Sequence, residues 1–90
     1  MAKILKKEQL ADNVFRMQVE APCIASERMP GQFIILSVDE EYGERVPLTI
    51  ADADPEAGTV SIIFQRVGYS TTQLAGFSVG DDIPVFVGPL

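Results

Sequence analysis

The sequence predicts an all-β fold, a closed or nearly closed antiparallel barrel of six short strands with one short helix. Three observations predict it. Apolar residues recur with period two or in short continuous runs. Gly, Pro, Asp and Asn break these runs at short intervals. Only one segment combines a helix start signal with a stop signal. Ninety residues, 47% of them hydrophobic, suit one domain with one modest core.

The strands follow in order. Residues 4–8 form a weak opening strand. In the second, Val14, Arg16, Gln18 and Glu20 alternate with Phe15, Met17 and Val19. A continuous apolar run over 33–38 follows Pro30-Gly31, and its first residue, Phe33, is read as the start of the buried stretch. Residues 46–51 and 59–67 are the fourth and fifth strands, and 83–87 the sixth. The segments 12–13, 39–43 and 52–58 carry turn residues, with Gly58 suited to a left-handed position. The helix spans 70–75, where Ser70 and Thr71 are start-type residues and Gly76 follows the end. A weaker helical signal lies near 24–28. Closure is expected because strands this apolar make poor edges.

The formal charge of −6, from 13 acidic and 7 basic residues, argues against nucleic acid, which demands a basic face. No apolar run approaches the roughly 20 residues that span a bilayer, so no membrane role is expected. One cysteine and no histidine cannot build a zinc site. Cys23 reads as a small buried apolar residue. A single thiol and the lack of a secretory signal point to the cytoplasm.

No catalytic set stands out. Three segments could carry chemistry. Pro30-Gly31-Gln32-Phe33 makes a tight entry into a strand. In Arg45-Val46-Pro47-Leu48-Thr49-Ile50-Ala51, Pro47 leaves one ladder bond unmade, Leu48 offers an apolar surface and Thr49 a hydroxyl, so a flat ring with polar edges could lie there. In 68–74, Gly68 permits close approach of a ligand, and the hydroxyls of Ser70, Thr71 and Thr72 sit beside free N–H groups that suit a phosphate. Arg66, just upstream, could add a charge-assisted bond. Plain helix capping explains the same residues without a ligand.

Pro-Gly-Gln-Phe, Pro-Leu-Thr-Ile-Ala, Arg-Val-Gly-Tyr-Ser-Thr-Thr-Gln-Leu, Gly-Asp and Gly-Pro-Leu, in this order from about Val14 to Leu90, resemble the ferredoxin–NADP reductase superfamily. Within it the chain looks most like the electron-transfer subunits of dihydroorotate dehydrogenase and the small subunit of NADH-dependent ferredoxin:NADP oxidoreductase. The resemblance implies a six-stranded Greek-key barrel over 1–87 that binds FAD, or FMN in some members. It implies that 88–90 begin a linker to a nicotinamide-binding domain, through which alone NAD(P) would be bound. A second electron-transfer subunit is the implied partner.

The family's Arg-x-Tyr-Ser motif falls on 46–49. Thr49 takes the Ser position near the reactive edge of the flavin, and Leu48 the place of the stacking Tyr. Val46 stands where the pyrophosphate-binding Arg belongs, with Arg45 one residue early. One residue along a strand reverses the face, so Arg45 is expected to point away unless a bulge re-aims it. The motif Gly-x-x-Ser/Thr-x-x-Leu matches Gly68, Thr71 and Leu74 and implies that 68–72 hold the pyrophosphate. These residues alone are not expected to turn over NAD(P)H. The competing reading is a small barrel that docks a partner subunit and holds no cofactor.

Overall fold

The computed structural model describes residues 2–27, 29, 31–41 and 43–90. Seven strands and two helices run in the order β1 (Ala2–Ala11), β2 (Val14–Glu20), α1 (Pro22–Glu27), β3 (Phe33–Ser37), β4 (Val46–Asp54), β5 (Thr59–Gln65), α2 (Tyr69–Ala75), β6 (Asp82–Ile83) and β7 (Val85–Val87). All strand pairs are antiparallel, and the order across the sheet is β6-β1-β2-β5-β4-β3-β7.

The count differs from six because Pro84 splits the last strand. Proline has no N–H to give to a ladder, so pairing stops there. On one side of the break β6 pairs with Ala2 and Lys3, and on the other β7 pairs with Ile35, Leu36 and Ser37. One short stretch of chain thus reaches both ends of the sheet and brings it close to a complete barrel.

Alternation puts Phe15, Met17 and Val19 of β2 inside, where they meet Ile62, Phe64 and Val60 of β5, and Ile34, Leu36 and Ile50 from the far wall. Phe33 departs from the sequence reading. It is 36% exposed on the outer face, while Ile34 and Leu36 fill the core. An all-apolar run has no period to reveal which residues point out.

The weak helical signal is a real element. Pro22 opens α1, a position that needs no N–H, and Ile24 and Ala25 are buried against β4 and β5. Arg28 and Pro30, part of the sequence reading here, lie outside the described residues. Cys23 corrects an expectation: it is exposed on α1. Gly58 has φ +71, and an added Cβ would stand 3.1 Å from Pro22 Cβ, so both strain and crowding favour glycine there.

The second helix is fastened at both ends. Leu74 is fully buried in the core. Lys7 Nζ, on β1, donates to Ala75 O at 2.6 Å and Phe77 O at 2.8 Å, which answers the unpaired carbonyls of the helix C-terminus. Upstream, Arg66 donates to Asn13 Oδ1 at 2.9 Å, and its N–H to Asn13 O at 2.7 Å. Both cations lie over the Phe15 ring, at 5.6 and 5.8 Å from its centroid.

Leu74→Ala should therefore cost about 3 kcal/mol, as a cavity opens in the core. Lys7→Met should cost about 1–2 kcal/mol from two lost charge-assisted bonds. Urea denaturation of each variant against the parent measures both values.

Candidate functional site

Among the described residues the first half of β4 pairs only with β3, through Val46 to Thr49, while pairing with β5 begins at Ile50. Ile50 N–H donates to Gln32 O at 3.2 Å, so residue 50 turns its backbone toward the β3 side. By alternation the backbone of Pro47 and Thr49 turns the other way, where no β5 residue pairs. Pro47, lacking an N–H, adds no orphan donor at this open flank, to which Thr49 turns its N–H.

Side chains alternate as well. Pro47 and Thr49 are exposed on the outer wall, and Val46 and Leu48 are half-buried against the core. Leu48 therefore offers a ligand only part of its surface. Thr49 stands opposite Phe33, and Pro47 opposite Ile35, which is itself paired with Val87. Leu90 and Phe33 exchange both backbone bonds, at 2.9 and 3.3 Å. The outer face beside Thr49 is thus apolar, with Phe33, Val87 and Leu90 all partly exposed.

Gly68 is the N-cap residue of α2, with φ −148 and ψ −175. That is ordinary extended backbone, and an added Cβ would meet nothing within 4 Å. Neither conformation nor packing within the described residues calls for glycine; its open side is space left free. The Thr71 hydroxyl is already engaged. It accepts from the N–H groups of Val67 and Gly68, each at 3.0 Å, and donates to Gly68 O at 3.2 Å. The first N–H groups of the helix, at 69–71, lie ahead of its internal ladder, which starts with Thr72 N–H to Gly68 O at 2.9 Å. Thr72 is exposed, and Tyr69 is 71% exposed.

Ser70 is 3% exposed, and its hydroxyl donates to Glu44 Oε1 at 3.1 Å. This bond joins the two candidate segments, because Glu44 adjoins Arg45 at the head of β4. Arg45 is exposed and precedes the strand, so the rule of alternating faces does not govern it. The register shift within β4 lies at 50–52, well past Arg45, so no bulge is re-aiming it. Arg66 is drawn the other way, with its guanidinium held by Asn13. Of the Pro30-Gly31 turn, Gly31 has φ +87 and Pro30 lies outside the described residues.

Sequence reasoning missed Glu44. Its partner lies 26 residues away, and no local pattern announces the pair. It also missed a cleft of about 550 Å³ between the start of α1 and the break at Pro84, lined by Pro22, Ile24, Ile83 and Phe86 among others and by none of the candidate residues. Among the described residues no group of His, Cys, Asp and Glu could hold a metal ion. No helix of the described residues is long and apolar enough to cross a membrane.

No family model matches the chain. It is 57% identical over all 90 residues to an uncharacterized protein in the adh 3′ region of Clostridium beijerinckii, and covers 30% of that protein. It is 40% identical over 88 residues to the dihydroorotate dehydrogenase B (NAD(+)) electron transfer subunit homolog of Thermotoga maritima, covering 98% of the chain and 31% of the relative. The chain therefore spans about a third of the length of the curated relatives it matches. Among solved structures, a chain of the NADH-dependent reduced ferredoxin–NADP oxidoreductase superposes with TM-score 0.95 at 38% identity, over 99% of this chain and 32% of that one. A siderophore-interacting protein of Acinetobacter baumannii shares the fold, with TM-score 0.81 at 18% identity, over 99% of this chain and 39% of that one.

Thr71→Ala should cost about 1 kcal/mol, because two N–H groups at the helix start lose their acceptor. Thermal unfolding of the variant checks this, with Thr72→Ala, at an exposed position, as the near-neutral control.

Proposed function

We propose, on the premise that the chain belongs to the ferredoxin–NADP reductase superfamily as one of its barrel domains, that it is the FAD-binding domain of an NAD(P)H-linked electron-transfer flavoprotein. The observation that carries the reading is the Ser70–Glu44 bond, which brings the start of α2 and the head of β4 into one place. The segments on which the family's two flavin motifs fall are thereby joined next to one another, through the residue two before the first.

The residues fit such a group. Gly68 leaves open space beside unladdered N–H groups, which suits an anion. Arg45 is exposed, follows the Glu44 that Ser70 holds, and would add positive charge to the site. Thr49 presents a hydroxyl at the unpaired flank of β4, and Leu48 a partial apolar surface. Thr71 serves the cradle indirectly, by holding the turn, and Arg66 by anchoring it to the β1–β2 turn. A bound flavin would supply two-electron exchange with a nicotinamide and single-electron exchange onward, and the protein's share is to bind, orient and tune it. FMN would use the same ring contacts with fewer phosphate contacts, and fits less of the cradle.

The Greek-key description of the barrel goes with this reading, and the adjacency of β2 and β5 supports it. A nicotinamide-binding domain attached after Leu90 would begin beside Phe33 and Thr49, because Leu90 pairs with Phe33. A second electron-transfer subunit and a cytoplasmic setting follow from the same reading. The exposed apolar trio Phe33, Val87 and Leu90 equally favours a cofactor-free docking module, in which case α2 is only a capped helix.

Titrating the chain with FAD separates the two. Flavin binding should shift the visible absorbance and quench the flavin fluorescence. Thr49→Val should weaken FAD about three- to tenfold through one lost hydrogen bond. NADH or NADPH should not be oxidised by these residues alone. Unchanged flavin spectra at high protein concentration would favour the docking module, and brisk NAD(P)H oxidation would contradict the division of labour.

A further inference from the structure

We propose that Glu44 is a positioning residue that carries Arg45 to the phosphates, so that an arginine one residue early still does the work of the one absent at Val46. The inference rests on the flavin reading above and extends it to a residue that neither flavin motif contains.

The geometry is specific. A hydroxyl as buried as that of Ser70 needs a partner, and Glu44 Oε1 is the one it has. The loop before Glu44 is compact. Ser37 Oγ donates to Asp39 O at 2.7 Å, and Gly43 N–H donates to Asp39 O at 3.2 Å. A Cβ on Gly43 would run into the Ser37 hydroxyl and the Asp39 backbone, so the loop closes tightly at that point. Downstream, Val46 is fixed by pairing with Leu36. Glu44 and Arg45 bridge these two anchors, and the Ser70 bond is the side-chain link from this bridge to α2.

Arg45 therefore starts about 3.8 Å, one Cα step, from a residue pinned at the second position of the helix. It is exposed and makes no hydrogen bond or ion pair among the described residues. Position 46 could not serve in its place, since its side chain packs inward. Glu44 also brings a negative charge near an anion site, and that cost is what the alternative reading would emphasise. If repulsion dominated, Glu44 would compete with the phosphates.

The test compares FAD with riboflavin, which lacks phosphate, in fluorescence titrations of the chain, E44Q, E44A, S70A, R45A and the double variant E44A/R45A. Glutamine keeps an oxygen that can accept from Ser70, so E44Q should bind FAD within about twofold of the parent. E44A and S70A should each lose about tenfold for FAD and leave riboflavin unchanged, the size of one charge-assisted contact. R45A should lose as much or more, and E44A/R45A should be no worse than R45A, since Glu44 acts through Arg45.

Additive losses in the double variant would overturn the proposal. So would tighter FAD binding by both E44A and E44Q, which would make Glu44 a competing anion. Equal losses for FAD and riboflavin would assign Glu44 a role in stability alone, and would overturn it too. If the unaltered chain binds neither flavin, the flavin reading falls first and this inference falls with it.

Discussion

The fold depends on one constraint: a six-residue stretch, 82–87, must satisfy two sheet edges at once. Pro84 makes this possible by ending one short ladder and letting the next begin on the opposite edge. Without it, β1 and β3 would each leave an unpaired edge. With it, the sheet folds round a core in which Ile4, Met17, Ile34, Leu36, Ile62 and Ile83 are almost wholly removed from water. The near-closed wall also fixes where openings remain, and the open flank of β4 at Pro47 and Thr49 is one of them.

The second constraint is electrostatic and local. The β1–β2 hairpin holds both ends of the segment that carries α2, through Lys7 at 75–77 and Arg66 at Asn13, and the two cations share the Phe15 ring. The helix is too short to persist by itself. Its stability comes from Leu74 in the core and from these ties. The start of the helix is consequently a fixed feature of the barrel, against which Ser70 can hold Glu44. On the proposed flavin reading, this bond would hold the cradle and the ring flank in one arrangement and lower the entropic cost of binding an extended cofactor.

Much of this was legible in the residues. β2 alternates cleanly and has the bounds its pattern predicts, and Gly58 adopts the left-handed turn its residue type suggests. What escaped has physical causes. Phe33 begins four apolar residues in a row, where period two is invisible, so its outward orientation could not be read. β4 begins at Val46, as its pattern predicts, so the alternation expected to turn Arg45 away does not apply to it. α1 has only six residues, and its signal is a proline at the first position. Glu44 with Ser70, and Lys7 with Ala75, are contacts between residues far apart in sequence, and only the closed barrel brings them together. At Thr71 the residue type was read correctly as part of a helix start, while its hydroxyl turned out to serve the preceding N–H groups.

The central claim is that one ligand touches both the open flank of β4 and the start of α2. Backbone amide chemical shifts, followed by NMR while FAD is added, test it most directly. Signals of 45, 46, 48, 49 and 68–72 should move together along one binding curve, with those lining the cleft at Pro84 unmoved. Shifts confined to 22–24 and 83–88, or none at saturating FAD, would contradict it.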